Sequence, residues 1–176
     1  ANALDANTTG TDNTAIGDNA LGANTTALNN TAVGSSAMLV NTTGTQNVAV
    51  GAYALDANTT ANGNTALGYA AMSTNSTGAS NTGVGLQALT ANTTASNNTA
   101  VGYLAMNANT TGTAHVAVGA YALDANTTGN YSTAIGYGAL GANTTGGNNT
   151  AVGHTALTAN TTASYNVAVG NYVLDA

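Results

Sequence analysis

The chain has 176 residues, a net charge of −6 carried by six Asp, and no Lys, Arg, Cys, Pro, Trp or Phe. Only 3% of its residues are charged, against roughly 25% in a typical soluble domain. Without a cation it forms no side-chain salt bridge between Asp and Lys or Arg, offers nucleic acid nothing to bind, and has no attraction for an anionic membrane surface.

Disorder is excluded as well. Apolar residues make up 43% of the chain, and they recur at fixed places, whereas disordered chains combine low hydrophobicity with high net charge. No apolar run reaches the ~18 residues of a membrane-spanning helix, so no membrane insertion is expected. No signal peptide is visible, and the segment reads as mature or as cut from something longer.

Ala1 to Ala6 form a partial coil that matches the end of a repeat unit. Ten units of 17 residues then run from 7 to 176 without insertion or deletion, opening at Asn7, Asn24, Asn41, Asn58, Asn75, Asn92, Asn109, Asn126, Asn143 and Asn160. We number each unit from this Asn. Positions 1 (Asn), 3 (Thr) and 11 (Gly) never vary. Position 10 is always aliphatic, position 15 is Leu or Met, and positions 5, 6, 12, 13 and 16 vary freely.

Within a unit, Asn-Thr-Thr reads as an edge or a turn. A strand of three or four residues follows, as in Thr14-Ala15-Ile16, and ends at Gly17. A second short strand is expected over Asn19-Ala20-Leu21. Helical periodicity is absent. The predicted fold is all-β: a parallel β-solenoid (β-roll) of 17-residue coils, about ten of them, uncapped and forming one array over 1–176. An exact period is what coil stacking demands, because a one-residue slip turns every side chain to the wrong face. At ~4.8 Å per coil the rod is on the order of 48 Å long. Open strand edges recruit further strands, so the chain is expected to be a segment of a longer fibre or to polymerise end to end.

Positions 10 and 15 are expected to form a thin core, with the Thr/Val of position 8 also inward. Position 9 would then face out. It is Ala in nine units: Ala15, Ala32, Ala49, Ala66, Ala100, Ala117, Ala134, Ala151 and Ala168. An outward column with almost no size variation suggests a face packed against a neighbouring protomer or against a loop of the same coil. A weaker two-unit rhythm alternates Gly and Ala at position 4 from Gly10 to Gly112 and reads as block duplication.

No constellation for catalysis is present, and the chain is not expected to be an enzyme. His115 and His154 occupy different places in the coil, and the six Asp are scattered. No metal site and no cofactor are expected. Every Asn at position 1 begins an Asn-x-Ser/Thr acceptor for N-glycosylation, as do Asn29, Asn97, Asn130 and Asn148. Position 1 keeps two readings: a stripe of covalent glycans, or an inward ladder of hydrogen-bonded amides. The two exclude each other, since a buried amide cannot carry a sugar. The eight Tyr fall at variable positions, with Tyr69, Tyr103 and Tyr137 sharing position 12 at two-unit spacing. They read as surface residues, with contacts to sugars or to other fibres as the minority reading.

The cores "NTAIGDNAL", "NTAVGYLAM" and "NVAVGAYAL" resemble the head repeats of trimeric autotransporter adhesins, the YadA-like head, and are similar to Asn-Thr-Ala-Val/Ile-Gly repeats of phage tail-fibre and bacterial surface proteins. The resemblance rests on Asn at position 7, Ala at 9, Val or Ile at 10, Gly at 11 and Ala at 14. It implies a parallel β-roll, three chains per head, and adhesion to a host surface. The unit here is longer by the Asn-Thr-Thr segment.

These features together predict a structural segment of an extracellular filament or cell-surface appendage, partnered by copies of itself, with covalent glycans as a further partner on the first of the two readings of position 1. An adhesin head or phage-fibre shaft that binds a receptor is the alternative, and an ice-binding solenoid the third reading.

Overall fold

A computed structural model describes residues 2–175; Ala1 and Ala176, the ends of the repeat array, lie outside the described residues. The fold is an all-β parallel solenoid. Each unit contributes one three-residue strand at positions 8 to 10: Thr14–Ile16 (β1), Thr31–Val33 (β2), Val48–Val50 (β3), Thr65–Leu67 (β4), Thr82–Val84 (β5), Thr99–Val101 (β6), Val116–Val118 (β7), Thr133–Ile135 (β8), Thr150–Val152 (β9) and Val167–Val169 (β10). They form one sheet in sequence order, β1 to β10. Pairing is parallel and in register, as in Ala15 opposite Ala32 and Ile16 opposite Val33.

The strand ends at position 11 because the backbone turns there with φ between +132° and +143° at all ten glycines, a region that L side chains rarely adopt. A methyl at Gly85 would also fall on the carbonyl of Gly102 in the next coil. Conformation and coil-to-coil approach both require Gly.

The second strand is not formed: positions 12 to 15 are a turn. In every described unit positions 13 and 15 have positive φ, for example Asn19 at 55° and Leu21 at 51°. Two left-handed residues flanking one ordinary residue cannot make extended backbone. Coil-to-coil bonding nevertheless continues through the turn, as Leu21 N–H donates to the Ala37 carbonyl at 3.0 Å. Left-handed backbone is a genuine outlier for β-branched residues. Position 15 accordingly takes Leu or Met, never Val or Ile.

The core lies between the position 15 side chains and the strand. Leu21, Met38, Leu55, Met72, Leu89, Met106, Leu123 and Leu140 are fully buried, each contributing about 1.5–3 kcal/mol by removal from water. The Ala of position 14 are buried with them. Facing them across the roll is position 9, which corrects the expectation for this column. Ala32, Ala49, Ala66, Ala100, Ala117, Ala134, Ala151 and Ala168 point inward, and Ala15 at the first strand is half-buried against the same core. These alanines are not a protomer-packing face. Gly83 shows what limits them: a methyl built there would lie 2.9 Å from Met72 Cγ. At Gly83 even a methyl would require Met72 to shift, while in the other nine units the gap between strand and Leu/Met column is filled by the Ala methyl.

Side chains alternate along a strand, so positions 8 and 10 face out. Ile16 is 61% exposed and Leu67 47%. The aliphatic column of position 10 is therefore surface, not core.

Candidate interaction surfaces

Two amide ladders run inside the rod. At position 1 each Asn Nδ2 donates to Oδ1 of the Asn in the preceding coil, as from Asn58 to Asn41 at 2.8 Å and from Asn92 to Asn75 at 2.7 Å. The same Nδ2 donates to the position 4 carbonyl of its own coil, from Asn92 to Ala95 at 3.0 Å. Asn24, Asn41, Asn58, Asn75, Asn92, Asn109, Asn126 and Asn143 are all fully buried. In the folded rod the position 1 column is the ladder and not a glycan stripe, because these amides face no solvent and their donors are used. Asn160 is half-buried and bonded in the same way to Asn143, while Asn7 is exposed at the first coil, where its Oδ1 still accepts from Asn24.

The Gly/Ala alternation at position 4 has a structural counterpart. In the first seven units the ladder bonds donated by Asn24, Asn58 and Asn92, whose coils carry Ala, measure 2.9, 2.8 and 2.7 Å. Those donated by Asn41, Asn75 and Asn109, whose coils carry Gly, measure 3.4, 3.4 and 3.1 Å.

Position 7 builds the second ladder. Here Oδ1 accepts the backbone N–H of position 7 in the next coil, as Asn30 accepts from Asn47 at 2.9 Å. Its Nδ2 donates to the position 4 carbonyl of the next coil, as Asn47 does to Ala61 at 2.8 Å. That carbonyl also receives Asn58, so one oxygen ties both ladders together. The two departures from Asn keep an acceptor: Ser132 Oγ receives Asn149 N–H at 3.2 Å, and His115 Nδ1 receives Ser132 N–H at 3.1 Å.

His115 is fully buried, and its Nε2 lies 2.6 Å from the Gly129 carbonyl. The partners fix the neutral tautomer with the proton on Nε2. Desolvation lowers its pKa below the ordinary histidine value, opposed by the bonds to Gly129 and Ser132. Protonation would set an N–H against the Ser132 N–H. A depressed pKa makes this contribution to stability present above the unfolded value of about 6.5 and lost as pH falls through that value toward the folded one. We therefore expect the melting temperature of the protein to fall between neutral pH and pH ~5 relative to His115→Asn, in which an amide restores the ladder. Parallel melting curves for the two proteins across this window would refute the assignment. Asp56 and Asp124 act in the opposite sense: burial raises their pKa, partly offset by backbone hydrogen bonds, and the stability of their neutral form is lost as pH rises through the folded value. Both proteins share that term.

Three surfaces remain outside. The first is the strand face, two columns of Thr, Val, Ile and Leu at positions 8 and 10. None of the six Asp falls on it.

The second surface is aromatic. Positions 12 and 13 of successive coils interleave into one run: Tyr103–Tyr121 at 5.3 Å and Tyr121–Tyr137 at 5.7 Å, both edge-to-face, then Tyr137–His154 stacked at 5.3 Å and His154–Tyr172 at 5.0 Å. Tyr53 and Tyr69 form a separate edge-to-face pair at 5.9 Å. The sequence gives Tyr69, Tyr103 and Tyr137 as one column, but the meeting of two columns, and the inclusion of His154, depend on how rings lean across coils.

The third is the Asn-Thr-Thr turn. Position 2 turns its hydroxyl along the rod, where Thr110 Oγ donates to the Thr127 carbonyl at 3.0 Å. Position 3 is exposed in every unit.

Among the described residues no group of three or more His, Cys, Asp or Glu is placed to hold a metal ion, and no helix is long and apolar enough to cross a membrane. No family model matches the chain, and neither a curated protein nor a solved structure does.

Proposed function

We propose that the chain is a structural rod, a segment of an extracellular filament or surface appendage that associates side by side with copies of itself through its strand face. The observation that carries this reading is the charge-free face of Thr and aliphatic columns running over ten in-register strands. A twofold-related copy brings the same columns together, the self-complementary arrangement of a symmetric pair. The amide ladders support a mechanical role, because every coil is tied to the next through its interior as well as through its sheet. The resemblance to repeats of bacterial surface and phage-fibre proteins points the same way.

Magnitude decides how strong the association is. Three residues at ~3.3 Å by ten coils at ~4.8 Å give a face of roughly 480 Å², short of the ~800 Å² per partner of a stable pair. One rod of this length pairs weakly, and affinity grows with the number of coils. Sedimentation velocity over a concentration series is expected to show reversible association that Val101→Asp with Val118→Asp removes. Both side chains point outward, so the fold is kept. A wild-type protein that stays a single rod at the highest soluble concentration, or a variant that associates equally well, would refute lateral packing.

The second reading is a shaft that binds a receptor surface. It is favoured by the aromatic run from Tyr103 to Tyr172, since exposed rings with a polar tip are common anchors at interfaces.

A further inference from the structure

Three positions never vary across the ten units, and the structure explains two of them. Asn at position 1 is the buried ladder, and Gly at position 11 is the left-handed turn. Thr at position 3 has no such account. Thr9, Thr26, Thr43, Thr60, Thr77 and their four successors are all exposed. In six units the position 3 backbone bonds to the next coil, as Thr43 N–H does to the Thr59 carbonyl at 3.2 Å. Any residue except Pro supplies that bond. Their hydroxyls make no hydrogen bond within the described residues, unlike those of position 2 beside them. Position 2 accepts Ser in one unit, Ser76, although its hydroxyl is used. Position 3 accepts no change although its hydroxyl is idle. Positions 6 and 12, exposed in most units, drift among Asp, Asn, Ser, Ala, Leu and Tyr, so duplication alone does not hold a surface residue constant in this chain. Something outside the fold uses the Thr side chain.

We propose that the position 3 hydroxyls are the glycan acceptors of this rod, each carrying an O-linked neutral sugar. The step is an ordinary glycosyl transfer from an activated donor, a nucleotide- or polyprenyl-linked sugar. Thr Oγ forms a bond to the anomeric carbon, the bond from that carbon to the phosphate oxygen breaks, the phosphate-bearing group leaves with the electron pair, and the hydroxyl proton passes to a base of the transferase. One acceptor per coil places sugars about 4.8 Å apart along one line. Such a line supplies the solvation that a surface with only 3% charged residues otherwise lacks. Ordered water as the user of the column is disfavoured, because no second regular rank of Thr stands beside it: position 5 carries Thr11, then Leu28, then Thr45, then Asn62. The inference is independent of side-by-side packing, since position 3 lies outside the strands.

The test is mass spectrometry of protein isolated from its natural source. Trypsin has no site in a chain without Lys or Arg, so Asp-directed cleavage is used. Its Asp56-to-Leu123 fragment spans Thr60, Thr77, Thr94 and Thr111. The expected result is a ladder of hexose-type increments on that fragment, removed by alkaline β-elimination and mapped by electron-transfer fragmentation to those four residues. Thr94→Val, expressed in the same host, is expected to remove one site and to leave the melting temperature unchanged. A bare fragment overturns the proposal, as do sugars that resist β-elimination and map to Asn97, or sugars spread without preference over position 2 and strand threonines.

Discussion

Gly85→Ala is expected to break the stack at its middle. Backbone and packing act together there. Gly85 has φ +133°, a region where an L side chain is strained by about 1–3 kcal/mol. The added methyl would fall on the Gly102 carbonyl oxygen, with the carbonyl carbon at 2.7 Å and Tyr103 N at 3.3 Å. All three are backbone atoms, held by the coil-to-coil bonds Gly85 N–H to Leu67 O and Gly102 N–H to Val84 O, each 2.8 Å. No flexible side chain can move aside, so the coils must separate locally. We expect a loss of about 3 kcal/mol or more, and a drop in melting temperature on the order of 10 °C. Repeat proteins are stabilised by nearest-neighbour interfaces, so the damage is expected to concentrate between the fifth and sixth coils and to make unfolding less cooperative. Hydrogen exchange of Gly102 and Leu104, whose amides donate to Val84 and Leu86 of the preceding coil, reports it. The comparison variant Gly63→Ala carries the same residue change at φ +68°, where the nearest atom to the new methyl is Ser80 Oγ at 3.8 Å. It should cost only the conformational strain. Equal losses in the two variants would show that the coil-to-coil clash contributes nothing.

The period of 17 and the strand at positions 8 to 10 were legible because stacking forbids insertions and Gly stops the strand at a fixed place. The faces of that strand were not, and the inversion has a physical source. Uniformity of size reports a tight environment, but it does not say whether the walls belong to the same chain or to another. Ala at position 9 is uniform because Leu and Met of position 15 lie against it. Position 10 ranges over Val, Ile and Leu because solvent imposes no volume. Alternation then assigns position 8 to the same outer face, where Thr and Val interchange freely. The missing second strand also had a readable sign: position 15 never takes a β-branched residue, while position 10 takes them in nine units. A left-handed backbone disfavours β-branched residues there, although Thr155 at position 13 adopts φ +50°.

The candidate surfaces were less legible. An Asn-Thr-Thr triplet is equally an acceptor motif and a ladder rung with a bonded turn, and only burial separates them. The chemistry of position 7 was closer to the surface of the text. Asn, His and Ser share one property, a side-chain acceptor that can meet the next coil's N–H, and this explains why His115 and Ser132 are tolerated there. The aromatic run depends on contacts between residues 16 to 18 apart, a relation that a column-by-column reading separates.

Asn92→Asp is expected to be the most damaging isosteric change in the rod. Asn92 is fully buried. Its Nδ2 donates to Asn75 Oδ1 at 2.7 Å and to the Ala95 carbonyl at 3.0 Å, and its Oδ1 accepts from Asn109 Nδ2 at 3.1 Å. Replacing the amide nitrogen by oxygen keeps the shape and the last bond. Both donated bonds become oxygen facing oxygen, with no cation in the whole chain to compensate. The Ala95 carbonyl still receives Asn81 Nδ2 at 2.8 Å, so the unmet group is Asn75 Oδ1 together with the new carboxylate. Leaving an ionised group buried and unpaired costs about 3–5 kcal/mol. The carboxyl escapes part of that cost by holding its proton, which lets it donate to one of the two oxygens and raises its pKa in the folded state. For a raised pKa the stability is present below the unfolded Asp value of about 3.9 and is lost as pH rises through the folded value. The destabilisation of Asn92→Asp relative to the wild type should therefore be largest at neutral pH and shrink in acid, the reverse of the His115 dependence. Asn29→Asp places the same charge at an exposed position, and its melting curve should follow the wild type. Denaturation of the three proteins from pH 4 to 8 decides the matter. If Asn92→Asp melts with the wild type at neutral pH, the column is not a buried ladder in solution, and the glycan-acceptor reading of position 1 returns.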